Sequence, residues 1–169
     1  MLELHNKGTK TAIHTDENDT FLYYFFRLGA CLHGFKTWCR PAFVVDGTYL
    51  YGDGHGVLLS AVGFDTNDQI FPIAFAIVDS ENNESYEWFM QQLFDALGPE
   101  FSSREDLVMC SDRSQSIEHR VSTVFTRACH VCCTFHLKEN IKTRYHNIAA
   151  ATSFMNAALA YTNDDYRRL

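Results

Sequence analysis

Three nearly unbroken apolar runs, at residues 42–45, 57–64 and 70–78, most constrain what this chain can become. Their length and their β-branched and aromatic content predict strands. Because they run almost continuously apolar instead of alternating, the expected sheet is covered on both faces. Asp65-Thr66-Asn67-Asp68 separates the second run from the third and predicts a hairpin. The first and second are joined through Tyr51-Gly52-Asp53-Gly54-His55-Gly56, which must bend sharply or approach another backbone closely. These glycines lack the lysine and following helix of a phosphate-binding loop.

The first run delivers a carboxylate at its tip: Phe43-Val44-Val45-Asp46-Gly47-Thr48. An ionised Asp is costly in such company unless it is paired or holds a metal. The pattern recurs where Leu107-Val108-Met109-Cys110-Ser111 ends in Asp112-Arg113. Two strands that each present an Asp at the tip can set the carboxylates side by side. Adjacent carboxylates repel unless a cation lies between them, and hard oxygen donors favour Mg²⁺ or Mn²⁺. Two such ions, about 4 Å apart, align a water or a 3′-hydroxyl with a phosphodiester. Turn capping, or a salt bridge from Asp112 to Arg113, is the structural alternative.

Around these runs the chain reads as follows. Residues 1–19 are polar and irregular. Phe21, Phe25, Leu28, Leu32 and Phe35 fall on one helical face, although Gly29 and Gly34 weaken a helix and leave an extended segment open. After the third strand, Asp79-Ser80-Glu81-Asn82-Asn83 leads into a helix striped by Tyr86, Phe89, Met90, Leu93, Phe94 and Leu97, stopped by Gly98-Pro99. Residues 107–111 make a fourth strand, a helix begins at Ser114, and a fifth strand covers residues 129–134. A further helix starts near His136 with Leu137, Ile141 and Tyr145 inward, and residues 148–160 form another. The order β-β-β-α-β-α-β-α predicts an α/β fold, a mixed sheet flanked by helices. Asp79 and Glu81 read mainly as helix-leader residues, Glu139 as either a third acid or a solvated helix face, and Tyr86, Trp88 and Phe89 as core.

Cys129-His130-Val131-Cys132-Cys133-Thr134-Phe135-His136 has ligand-type residues at short gaps. A zinc site wants two separated ligand pairs, so Zn²⁺ is not expected; buried thiols, with histidines hydrogen-bonding near the carboxylates, are the plainer reading. The 169-residue chain carries a net charge of −7, with 14 acidic and 5 basic residues up to position 103 and 7 acidic and 9 basic beyond it. Nucleic-acid contact therefore favours the second part. No apolar run is long enough to span a bilayer, no signal peptide is legible, and no membrane partner is expected.

Cys39-Arg40-Pro41, Val45-Asp46-Gly47-Thr48, the segment from Asn67 to Phe75, Val78-Asp79-Ser80-Glu81-Asn82, Glu87-Trp88-Phe89, Ser111-Asp112-Arg113 and Cys133-Thr134-Phe135-His136 occur in that order. Together, over residues 20–165, they resemble the catalytic domain of Mutator-like element (MULE) transposases, abundant in plants. The resemblance implies a ribonuclease H-like fold and divalent-metal (Mg²⁺ or Mn²⁺) DDE chemistry: DNA cleavage and strand transfer at transposon terminal repeats, in the nucleus. Asp46 and Asp112 match the first and second catalytic acids, which are also the metal ligands. Cys133 and His136 match the C-x-x-H signature, and His130 fits the pattern upstream of it. In the family the third acid, a Glu, follows a helical insertion. Residues 1–19 are accordingly expected as a polar leader and 20–147 as the transposase-like domain. Residues 148–169 are expected as the start of the insertion, so that the domain is truncated before its Glu. A non-catalytic remnant acting through DNA or protein binding is the alternative.

Overall fold

A computed structural model describes residues 5–52, 55–113 and 115–167. The expected helix start at Ser114, and Asp53-Gly54 of the glycine-rich turn, lie outside them. The chain divides into two compact units that meet between Val131 and Cys132.

The first unit is built on a seven-stranded sheet in the order β1-β2-β5-β4-β3-β6-β7. Its strands are β1 (Lys10–Thr15), β2 (Phe21–Arg27), β3 (Cys39–Leu50), β4 (Gly56–Asp65), β5 (Ile70–Val78), β6 (Val108–Ser111) and β7 (Cys129–Cys132). β3 pairs antiparallel with β4 and parallel with β6, and β5 pairs antiparallel with β4. β3, β5 and β6 therefore all point their carboxyl ends to the same edge. This is the mixed α/β sheet, flanked by helices, that the element order predicts.

Two expectations need correction. The segment after Thr20 is a strand followed by a helix, α1 (Gly29–Trp38), not one helix. In Phe21-Leu22-Tyr23-Tyr24-Phe25-Phe26-Arg27 nearly every side chain is bulky and apolar, so a helical period can be picked out of a strand. The burial has period two: Tyr23, Phe25 and Arg27 are buried, while Leu22, Tyr24 and Phe26 are half-buried. The polar N-terminal stretch contributes β1, which pairs along β2 from Lys10↔Arg27 to Thr15↔Phe21. The second correction concerns the sheet's faces. Along β4, Val57, Leu59 and Ala61 are buried while Leu58, Ser60 and Val62 are only half-buried. The runs look continuous because the less covered face is apolar too, with Val44, Leu58, Val62, Phe75 and Ile77 on it.

The buried face carries the core. Phe35 of α1 meets Phe43 edge-on at 6.2 Å between ring centroids, and Phe89 of α2 (Asn83–Leu97) meets Phe25 at 6.1 Å. Phe125, just after α4 (Gln115–Val124), meets both Phe43 and Phe94. α2 is capped as its leader suggests: Asn82 Oδ1 accepts from the N–H groups of Glu84 and Ser85 at 2.9 Å each, and Asn82 N–H donates to Ser85 Oγ. Gly98, at φ +80°, ends it, and Pro99 opens the single turn α3 (Pro99–Ser102). Arg120 on α4 pairs with Glu87 on α2 at 2.9 Å.

α1 has no cap of its own. Ala30 N–H donates to Asn6 Oδ1 at 2.9 Å and Gly29 N–H to Thr9 Oγ1 at 3.3 Å, while Arg27 Nη1 holds the Gly8 carbonyl at 2.8 Å. A Cβ on Gly29 would lie 2.1 Å from the Lys7 carbonyl oxygen, so this close approach requires glycine.

The second unit contains α5 (Thr134–Tyr145), α6 (Ile148–Ala158) and α7 (Asn163–Arg167). His146 at φ +49° ends α5, and Asn147 caps α6 through Ala150 N–H. Leu137 and Ile141 are half-buried, but Tyr145, expected inward, is exposed. It takes the last turn, where Arg144 lies over its ring. Glu139 pairs with Lys142 at 3.2 Å on the same helix, the solvated-face alternative. Among the described residues no helix is long and apolar enough to cross a membrane.

Candidate metal centre

Asp46 lies on β3 two residues beyond Val44, and Asp112 follows β6 two residues beyond Cys110. Val44 and Cys110 are register partners in the parallel β3–β6 ladder. Continued by two residues, that register sets Asp46 and Asp112 abreast, and strand alternation turns both to the half-buried face. Both are half-buried. Neighbouring strands lie about 4.8 Å apart, a separation over which two carboxylates can share one cation. Hard anionic oxygens from two rigid strands fit Mg²⁺ or Mn²⁺. Among the described residues no group of three or more His, Cys, Asp or Glu is placed to hold a metal ion, so these two acids would complete such an ion's shell with water or substrate oxygen.

A third carboxylate approaches from the other side of β3. The chain leaving β5 turns back over the sheet edge, and Glu81 accepts a 2.5 Å hydrogen bond from the Tyr86 hydroxyl. That pair sits on Gly47: a Cβ there would lie 3.0 Å from Glu81 Oε1 and 3.1 Å from Tyr86 Oη. Tyr86 is 2% exposed. Burial first, then the Glu81 hydrogen bond and charge, then the charges of Asp112 and Asp46, push its phenol far above the usual tyrosine range. One hydroxyl thus senses all three acids. Glu81 and Tyr86 had read as helix leader and core; the available signal was the glycine directly after Asp46, which leaves room for a side chain from elsewhere.

Asp112 is steadied from β7. Ser111 Oγ donates to the Asp112 carbonyl at 2.9 Å and lies 2.9 Å from His130 Nε2. If the hydroxyl gives its one proton to the carbonyl, the ring nitrogen is the donor in the second contact. His130 thus belongs to the surroundings of the second acid, as the plainer reading of the Cys/His cluster expects. The other half of that reading, buried thiols, is corrected: Cys129 and Cys132 are exposed and Cys133 is half-buried, because β7 is the edge strand of the sheet. Cys133 and His136 fall in the second unit: Cys133 is the N-cap residue of α5, and His136, half-buried, stands edge-on to Phe135 at 5.8 Å. All six cysteines are free thiols, with Cys129 and Cys132 exposed.

Residues 42–140, more than half of the chain, match the family model of the MULE transposase domain. The chain belongs to that family. The match takes in both strand-end acids, Glu81, Tyr86, Ser111, His130 and the C-x-x-H residues. Among solved structures, this MULE transposase domain is similar to the catalytic domain of Mos1 mariner transposase, at 11% identity and a TM-score of 0.40, over 81% of this chain and 79% of that one. The Mos1 transposase catalytic domain with raltegravir and Mn gives the same identity and score, over 81% and 80%. No curated protein matches the chain.

Proposed function

We propose that this domain binds DNA and a divalent cation, Mg²⁺ or Mn²⁺, at Asp46 and Asp112, and serves the phosphodiester cleavage and strand transfer of DNA transposition. The observation that carries the reading is the parallel β3–β6 register Val44↔Cys110, which, continued by two residues, would set the two acids abreast although they are 66 residues apart in sequence. A bound cation supplies charge neutralisation at the phosphate and activation of the attacking oxygen. The chain's own part is to hold two carboxylates on strands that cannot shift singly, with Ser111 and His130 fixing the backbone at Asp112. The substrates would be transposon terminal repeats, met in the nucleus.

A second reading, binding without turnover, is favoured by one observation: among the described residues no third ligating side chain joins the two acids. The isolated chain is accordingly expected to perform no strand transfer. Mg²⁺ and Mn²⁺ titrations of thermal stability test the site. Stabilisation of the wild type that is lost in Asp46→Asn and in Asp112→Asn supports the carboxylate centre; equal response in all three proteins removes it. Cleavage of a terminal-repeat substrate that Asp112→Asn abolishes would overturn the binding-only reading.

A further inference from the structure

We infer that Glu81 and Tyr86 act as a positioning pair that clamps β3 at Gly47 and so fixes where Asp46 stands; this rests on the reading of Asp46 as a ligand.

Three observations converge on it. The hydrogen bond between the two side chains is short, at 2.5 Å, and its donor is buried. Both polar atoms occupy the space that a side chain at position 47 would fill. On the sheet, Asp46 and Gly47 are held by their β4 partners Ser60 and Leu59, whereas the last partners of the β3–β6 ladder are Val44 and Cys110. Beyond that point β3 is paired along β4, and the Glu81–Tyr86 pair presses on it from the helix-covered face, where Gly47 lies by alternation with Val45.

The sequence carries the same logic in three places. Glycine at 47 admits the pair. Asn82 and Ser85 lock the first turn of α2 by reciprocal hydrogen bonds, which fixes the Tyr86 backbone. Glu81 sits just before that cap, so its carboxylate can reach back to a hydroxyl five residues on. Tyr86 anchors in the core and Glu81 stays at the edge, so the pair transmits the rigidity of α2 to the strand that bears the acid. Substituting the phenol by phenyl keeps the packing and removes the link.

The test uses the full chain and two measurements: Mn²⁺ binding, followed by loss of the free-ion EPR signal, and amide hydrogen exchange at Gly47 and Thr48 without metal. In Tyr86→Phe and in Glu81→Ala, exchange at Gly47 should rise about tenfold and Mn²⁺ affinity should fall by a similar factor, as expected for losing one hydrogen bond to a charged group. Glu81→Gln keeps an acceptor for the hydroxyl and should restore slow exchange. Gly47→Ala, which pushes the pair away from the other side, should match Tyr86→Phe, and combining the two should add little. Unchanged exchange in Tyr86→Phe overturns the clamp. Faster exchange with wild-type Mn²⁺ affinity also overturns it, provided that Asp112→Asn has lost binding. If wild type and Asp112→Asn bind Mn²⁺ alike, the carboxylate centre itself fails, and the exchange data alone decide whether the pair holds the strand.

Discussion

Replacing Ser111 by alanine tests the account of how Asp112 is held. Ser111 is 1% exposed, and its hydroxyl makes two contacts at 2.9 Å, one to the Asp112 carbonyl and one to His130 Nε2. A typical buried hydrogen bond is worth about 1 kcal/mol net, and a buried group left unpaired costs about 1–3 kcal/mol. His130 is only half-buried, so water can take over part of its N–H, which argues for the lower part of that range. The carbonyl has a second lone pair and suffers less than a donor would. The expected destabilisation is therefore about 2 kcal/mol. Urea unfolding followed by circular dichroism reads it as a lowered midpoint at unchanged slope, which separates a lost interaction from a change in compactness. Because Ser111 joins two partners, a cycle with His130→Ala should show a coupling of about 1 kcal/mol. Nitrogen NMR gives an independent check, the expected outcome being a wild-type His130 ring protonated on Nε2. An Ser111→Ala variant within about 0.5 kcal/mol of wild type, with no coupling, or a His130 ring protonated only on Nδ1, would refute the relay.

Gly29→Ala separates two arguments by sign. Helix propensity alone favours alanine by about 1 kcal/mol, whereas a Cβ 2.1 Å from the Lys7 carbonyl must push away the strand leader that caps α1 and accepts from Arg27. A net loss of about 2 kcal/mol is expected in urea unfolding, and a stabilised variant would contradict it. Alkaline stability tests Tyr86 and Tyr23, whose phenols burial pushes up, with nearby acids adding to it. The unfolded chain ionises its tyrosines near pH 10 while these two stay protonated in the fold. Stability should therefore be level below about pH 9 and fall as pH climbs past 10, with a shallower fall in Tyr86→Phe. Glu87→Ala removes the carboxylate that pairs with Arg120, whose Nε is already buried without a hydrogen-bond partner among the described residues. It should cost about 1–2 kcal/mol, and restoration by Arg120→Met would show that the unpaired charge is the cause.

The central strands and α2 were legible because their signals agree at several levels. The Asp65–Asp68 hairpin has its carboxylate accepting from Asn67 and Gln69 N–H groups, the chemistry that its composition announces. The Asn82 leader, the apolar stripe and Gly98 mark one helix three times over. β2 was obscured for the opposite reason. With aromatic residues at nearly every position, any period can be extracted, and only pairing with β1 and β5 selects the strand. β1 was invisible because an edge strand buries little: Ile13 is 68% exposed, and its neighbours are polar. Residues of α1 gave a weak helix signal because its cap lies in Asn6 and Thr9, 24 and 20 positions upstream of the backbone groups they serve.

The site divides along the same line. Asp46 and Asp112 stood out because a charge at the end of an apolar strand is locally anomalous. Glu81, Tyr86, Ser111 and His130 were not anomalous where they stand, and their roles exist only once β5, β6 and β7 join β3 in one sheet. Sheet order supplies the reason that the groups converge here. From β3 the chain leaves by a hairpin to β4 on one side, then returns through β5 and α2 to lay β6 on the other. The connections from β3 and β6 leave in different directions. Parallel pairing puts the ends of β3 and β6 on the same edge, and β5, parallel to β3 through β4, brings its own exit to that edge as well. β5 and β6 are each followed directly by an acid, Asp79 and Asp112, whereas Asp46 lies within β3, four residues before its end at Leu50. Had β6 paired antiparallel, Asp112 would stand at the far edge of the sheet from Asp46, and no side-chain rearrangement could rejoin them. The centre is therefore a property of strand direction first and of residue identity second. Substitutions on β6 that preserve both acids but shift its register on β3 by one residue should abolish cation binding as completely as removing a carboxylate, because a one-residue slip turns Asp112 to the opposite face.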